Sequence, residues 1–284
     1  MNVRLLLSTQ RSGSHFLKSL IETQFPQVTC SGEALEQPIP HASQTPTLRD
    51  HPGFPHFWPW YENEARAGRI SVAPDQRYAA FEAYLKTLVE MTSPRNLVVD
   101  TKYNSLRSLS GYWDTDYGSN DFVSFVTSRK IPVLHLIRKN ILRTVISNRL
   151  AQQTGIWHRA TERSPEEVLP RLRLNPKGVL FDIRYGSKLT QDYQNRFAGY
   201  PGYEEIVYEE LVQEQNCLEH GISLRTLALF LDVDPISPLE PSLPFKKTTP
   251  EDLSEVVENW QDVVRIVRTT EHGWMTETPL LAAA

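Results

Sequence analysis

Cysteine is nearly missing from this sequence: Cys30 and Cys217 are the only two in 284 residues. Two such thiols make neither a disulfide framework nor a metal-ligand cluster, so reduced thiols in a cytoplasmic protein are expected. Long apolar runs are missing too. No stretch approaches the roughly 18 apolar residues of a membrane span, and the opening MNVRLLLSTQ lacks the apolar length of a signal peptide. A soluble chain is the expectation. There is no basic excess either. The net charge is −4, which removes any global attraction to nucleic acid, so an anionic ligand has to be met by local positive charge. Repeats and low-complexity tracts are absent. What remains is ordinary for a folded protein, 40% apolar and 23% charged. The length suits one large α/β domain or two small ones, and a single domain over 1–284 is expected.

Apolar patterning predicts strands at 3–8, 27–30, 96–102 (NLVVDTK), 131–138 (IPVLHLIR) and from 204 (EEIVYEEL). Helices are predicted at 13–24, 76–92, 140–153, 164–173, 180–198, 224–233 and 249–268, the last opening on a cap-like Thr-Pro-Glu-Asp. Residues 36–75, rich in Pro, His and aromatics, read as a long functional loop, and 235–284 as a C-terminal loop and helix. Strands alternating with helices predict an α/β fold with a mostly parallel central sheet flanked by helices, a three-layer sandwich like that of the P-loop NTPases. Ligands bind such sheets at the carboxyl ends of the strands, where Gln10 to Ser14, Lys102 and Arg138 fall.

LLLSTQRSGSHFLKSLIE, residues 5–22, reads as strand, polar turn, helix. A helix N-terminus offers unpaired N–H groups and partial positive charge. Gly13 allows close backbone approach, Ser12 and Ser14 add hydroxyls, and Arg11 adds a planar cation. This set can cradle a phosphate-like group. A Walker loop needs G-x-x-x-x-G-K-[ST], but Ser8 stands for its first Gly, Ser14 for the Lys and His15 for the Mg²⁺-binding hydroxyl. Standard ATP or GTP hydrolysis is therefore not expected. An ordinary helix cap beside an arginine is the competing reading. His15 belongs to the loop set but faces the wrong way on a regular helix and reads as structural.

A second cationic turn lies in VLHLIRKNILRTVISNRLA, where Arg138 and Lys139 end a strand and Ser147 follows on the helix. That spacing lets a cation and a hydroxyl converge on one phosphate; a basic, solvated helix start is the competing reading and the favoured one for this stretch alone. Two such sites suit a ligand with two separated anionic groups.

At this point the chain resembles the PAPS-dependent sulfotransferases, most of all the bacterial carbohydrate enzymes of the trehalose- and Nod-factor-modifying kind. STQRSGSHFL resembles their 5′-phosphosulfate loop and LIRKNILRTVISNRLA their 3′-phosphate motif, while IVYEEL, LALFLDV and PFKKTTPEDLSEVVENW resemble later segments. The resemblance spans most of the chain and is thin across 36–75. It implies a donor, PAPS, whose sulfuryl group carries less charge than a phosphoryl group and needs no metal, so the missing Walker residues fit. It implies that Gln10, Arg11, Ser12, Gly13, Ser14 and His15 hold the phosphosulfate, and that Arg138 and Ser147 hold the 3′-phosphate. Many members space that pair by eight residues, which selects Lys139 instead. The resemblance implies that Lys246 and Lys247 close over the nucleotide, with solvated charges as the competing reading, and that PAP is the product.

Transfer to a hydroxyl needs a base and cations for the leaving phosphate. Some relatives use the His of a Lys-Thr-His after a strand; here the residues are Lys102-Tyr103-Asn104, so that base is missing. The resemblance offers Glu33, in CSGEALE, as general base, with a solvent-exposed acid as the alternative. Arg11 joins it at the reacting group. Lys102 ends a buried strand at the same edge and can stabilise charge or contact the acceptor; a snorkelling lysine is equally open. His135, mid-strand, reads as a satisfied core histidine. Trp58 and Trp60 in the aromatic loop, with Trp157 and His158, are candidates for the acceptor site of a carbohydrate or other alcohol. Competing functions are an atypical P-loop kinase and a non-catalytic nucleotide-binding protein. The resemblance allows a homodimer but shows no interface.

Overall fold

The computed structural model describes residues 2–36, 54–92, 95–110, 119–156, 170–216, 222–234 and 249–277. In chain order the elements are β1 (Val3–Ser8), α1 (Ser14–Gln24), β2 (Val28–Glu33), α2 (Phe57–Arg66), α3 (Arg77–Thr92), β3 (Asn96–Lys102), α4 (Tyr103–Leu106), α5 (Ser119–Ser128), β4 (Val133–Ile137), α6 (Ile141–Thr154), α7 (Pro176–Phe197), β5 (Tyr203–Val207), α8 (Tyr208–Asn216), α9 (Ile222–Leu231) and α10 (Trp260–Arg268). Chain contacts divide it into two compact units, 1–137 with 193–243, and 138–192 with 244–284.

The first unit is built on one five-stranded sheet of order β2-β3-β1-β4-β5, parallel throughout. β1 shows why. Leu5, Leu6 and Leu7 are consecutive and all fully buried. Successive side chains of a strand point to opposite faces, so both faces of the sheet are covered. On one face, Leu6, Val98, Leu134 and Ile206 pack with Leu17, Leu20 and Ile21 of α1 and Leu227 and Leu231 of α9. Helices flank the sheet, and the expected α/β three-layer fold is observed.

β2 does not pair evenly with β3. Cys30 lies opposite Val98, but Glu33, three residues on, lies opposite Asp100, two residues on. One extra residue in β2 forms a bulge. Side chains alternate with period two, so without the bulge Gly32 would face Asp100 and Glu33 would turn to the other side of the sheet. The bulge therefore puts Glu33 on the face shared by Asp100 and Lys102.

Three predicted elements differ. The segment 36–75 is not all loop: within its described part, α2 forms around Pro59, tolerated because first-turn N–H groups have no intrahelical acceptor. Residues 170–173 are extended rather than helical, because Leu172 bridges Val257 and exchanges backbone hydrogen bonds with Val256 and Glu258. The same pairing breaks the helix predicted over 249–268. A short 3₁₀ turn, Leu253–Glu255, capped by the Asp252 carboxylate, precedes α10.

The second unit gathers Leu142, Ile146 and Leu150 of α6 with Val179 and Ile183 of α7, Val263 and Val267 of α10, and Met275. Asn140 caps α6 by accepting from the Arg143 N–H and donates to the Met275 carbonyl. The buried Arg143 donates to the carbonyls of Pro250 and Glu251.

Candidate active site

The turn Thr9–Gly13 carries β1 into α1. Arg11 adopts the left-handed conformation, φ 61°, and so does Gly13, φ 97°. A left-handed arginine is uncommon, and such conformations concentrate at functional sites. The Ser12 hydroxyl donates to the Thr9 carbonyl at 2.8 Å and closes the turn. A Cβ built on Gly13 would sit 2.3 Å from the ring of Tyr208, so only glycine lets that ring lie against the loop. Gln10, Arg11, Gly13 and His15 are half-buried, while Ser8, Ser12 and Ser14 are buried.

The loop lacks the Walker lysine, but a lysine arrives from the neighbouring strand. Lys102 pairs with Ser8 across β1 and β3. Its ammonium, 1% exposed, donates to Ser14 Oγ at 2.6 Å, Ser8 Oγ at 3.0 Å and Asp100 Oδ1 at 2.7 Å. Ser14 holds the position the Walker lysine would have. Lys18, one helical turn after Ser14 on α1, forms an ion pair with Asp100 Oδ2 at 2.9 Å and donates to the Ser31 carbonyl at 3.1 Å. Glu33 Oε1 lies 3.7 Å from the Lys102 ammonium, and its side chain keeps 18% exposure. Glu33 is thus the member of this cluster that an incoming molecule can reach.

Lys18, Lys102, Asp100 and Glu33 balance formally to zero. Burial pushes the Asp100 carboxyl up, but Lys102 and Lys18 more than offset this and hold it below its ordinary value. Burial opposes the charge on Lys18, yet its contact with Asp100 leaves it raised. Glu33 goes the other way: burial, with Asp100 adding to it, lifts its carboxyl above the ordinary range against the pull of Lys102 and Lys18. A carboxylate raised in this way is a better proton acceptor.

The structure thus brings together Ser8, Ser12, Gly13, Ser14, Lys102 and Glu33 in one unit. Arg138 is half-buried, Lys139 exposed and Ser147 buried; all three belong to the second unit. Trp60 is buried against Tyr84 and Phe57, so its ring is committed to packing. Trp58, half-buried, donates to the Leu35 carbonyl and lies under the Arg77 guanidinium. Trp157, His158, Lys246 and Lys247 fall outside the described residues. His135 is sealed in the sheet, its ring nitrogens bonded to the hydroxyls of Tyr103 and Tyr203, and burial pushes it down to about 3.

Sequence reading missed Asp100, Lys18 and Tyr208. The acid that directly follows the apolar run of NLVVDTK was the one available signal. Among the described residues, no group of three or more His, Cys, Asp or Glu side chains is placed to hold a metal ion, and no helix is long and apolar enough to cross a membrane.

No family model matches the chain, and no curated protein matches it. Among solved structures it is similar to the Sulfotransferase Domain from the Curacin Biosynthetic Pathway, with a TM-score of 0.42 and 17% identity over 86% of this chain and 77% of that one. The parallel sheet described above rests on its own strand register and not on this likeness.

Proposed function

We propose that this chain is a sulfotransferase that moves a sulfuryl group from PAPS to a hydroxyl of an acceptor, a carbohydrate or glycoconjugate being the favoured class. The observation that supports it most is the convergence of a phosphate-type cradle and a reachable, raised carboxylate on one buried lysine. The cradle residues fit an oxyanion: a helix N-terminus, the Ser12 and Ser14 turn, Arg11 and the Lys102 charge beneath. PAPS, when bound, supplies the sulfuryl group and a phosphate leaving group. Glu33 takes the proton of the acceptor hydroxyl as its oxygen bonds to sulfur. Arg11, the helix N-terminus and Lys102 balance the charge that collects on the departing phosphate. Arg138, or its neighbour Lys139, with Ser147 holds the 3′-phosphate, and Lys246 and Lys247 close over the nucleotide. Trp58, Trp157 and His158 are the acceptor-side residues of this reading.

Incubation with labelled PAPS and a panel of glycans tests it. Label transfer in the wild type, lost in Glu33→Gln with PAP binding retained, is the expected result. PAP binding without transfer to any acceptor would favour a non-catalytic nucleotide-binding protein. Magnesium-dependent ATP binding would favour a kinase.

A further inference from the structure

The Lys102 ammonium has three protons to donate, and Ser8, Ser14 and Asp100 take all three. Glu33, at 3.7 Å, lies beyond hydrogen-bond range. A hydroxyl that accepts from an ammonium must turn its own proton elsewhere. Among the described residues neither the Ser8 nor the Ser14 hydroxyl donates to another group, and both side chains are buried at the loop. Two hydroxyl protons are therefore left to a ligand in the cradle.

What keeps Lys102 there is a competition between two carboxylates. Asp100 and Glu33 sit opposite each other across β2 and β3, both on the Lys102 face. Asp100 is fully buried and wins the ammonium, and its second oxygen is braced by Lys18. The groups facing Glu33 are Lys102 and Asp100 from β3 and Lys18 from α1. His56, ahead of α2, meets the Glu33 backbone carbonyl. If Asp100 lost its charge, Glu33 would be the remaining anion within reach of Lys102.

We infer that Asp100 is a positioning residue: braced by Lys18, it holds the Lys102 ammonium under the cradle, against Ser8 and Ser14 and off the Glu33 carboxylate. Asp100 is fully buried and acts through Lys102. It sets two properties of the site at once, the donors offered to the oxyanion and the freedom of Glu33 to accept a proton. This rests on the reading of Glu33 as the base and of the loop as the donor cradle.

The test uses the full chain with Lys18→Met and Asp100→Asn together, which removes a buried ion pair and leaves the formal charge balance unchanged. PAP affinity is measured by calorimetry, and the Glu33 titration midpoint by carbon NMR of its labelled carboxyl. PAP affinity is expected to fall about 10-fold, and the Glu33 midpoint to drop by about one pH unit as Lys102 swings onto it. Lys102→Met should raise the midpoint by more in the double variant than in the wild-type background, which neither general loosening nor the loss of the Asp100 charge alone would do. An unchanged midpoint and affinity, or a drop that persists without Lys102, overturns the inference. A wild type that binds no PAP, with the midpoint still responding, would sink the donor reading and leave Asp100 as described. If the double variant does not fold, Asp100→Glu makes the same test. Its longer side chain displaces Lys102, and a folded Asp100→Glu protein with affinity and midpoint both unchanged also overturns the inference.

Discussion

Glu33 and Gly13 are the residues on which the proposed chemistry turns, for different reasons. Glu33 is reachable, raised by burial and 3.7 Å from the ammonium of the lysine beside it. Glu33→Gln keeps the shape and removes the basic oxygen, so turnover should fall about 10²–10⁴-fold with PAP affinity little changed; equal loss of affinity would remove Glu33 from the base role. The pH profile follows from the same raised carboxyl. In the proposed base role it must be ionised, so turnover should decline as pH falls through a midpoint above the ordinary glutamate value, and a profile flat down to pH 4 would contradict this. At Gly13 an added methyl meets both a left-handed backbone and the Tyr208 ring. Gly13→Ala should cost about 1–2 kcal/mol of stability and weaken PAP binding, measured by thermal unfolding with and without PAP. Lys102 and the loop were legible in the sequence because each ends or follows a recognisable strand, and Glu33 only through the family resemblance. Asp100 and Lys18 were not, because their meaning depends on which strands are neighbours, and apolar periodicity carries no strand order.

Elements explain how those residues meet. The β2 bulge turns Glu33 to the working face, and its one sequence signal, Gly32 beside Ser31, reads equally as an ordinary loop approach. α2 was hidden inside a Pro-rich stretch, yet Phe57 at its start is fully buried among Trp60, Tyr61, Phe81 and Tyr84. Phe57→Ala should destabilise the protein by about 3–5 kcal/mol in denaturant titration; a loss under 1 kcal/mol would mean the cluster is not core. β4 and β5 carry a pH-dependent term in His135. Its folded value, about 3, lies below the unfolded value of about 6.5. The unfolded chain therefore binds the extra proton between these limits. Stability contributed by the neutral ring is complete above pH 6.5 and is lost as pH falls toward 3. His135→Gln should flatten the loss between pH 6.5 and 4 relative to the wild type, and identical slopes would refute the assignment.

At the scale of the whole molecule, the parallel α/β fold was legible because strands and helices alternate along the chain and the right-handed crossover rule leaves few topologies. The helix expected over 249–268 failed because pairing with 170–174 overrode its local propensity. The central claim is that this fold grips an oxyanion of an adenosine donor without a divalent ion. Calorimetric titration of the full chain with adenosine 3′,5′-bisphosphate and with ATP, each with and without EDTA, tests it most directly. Binding of the bisphosphate that is tighter than that of ATP and indifferent to EDTA is predicted. No bisphosphate binding, or binding that appears only with magnesium, would contradict the account.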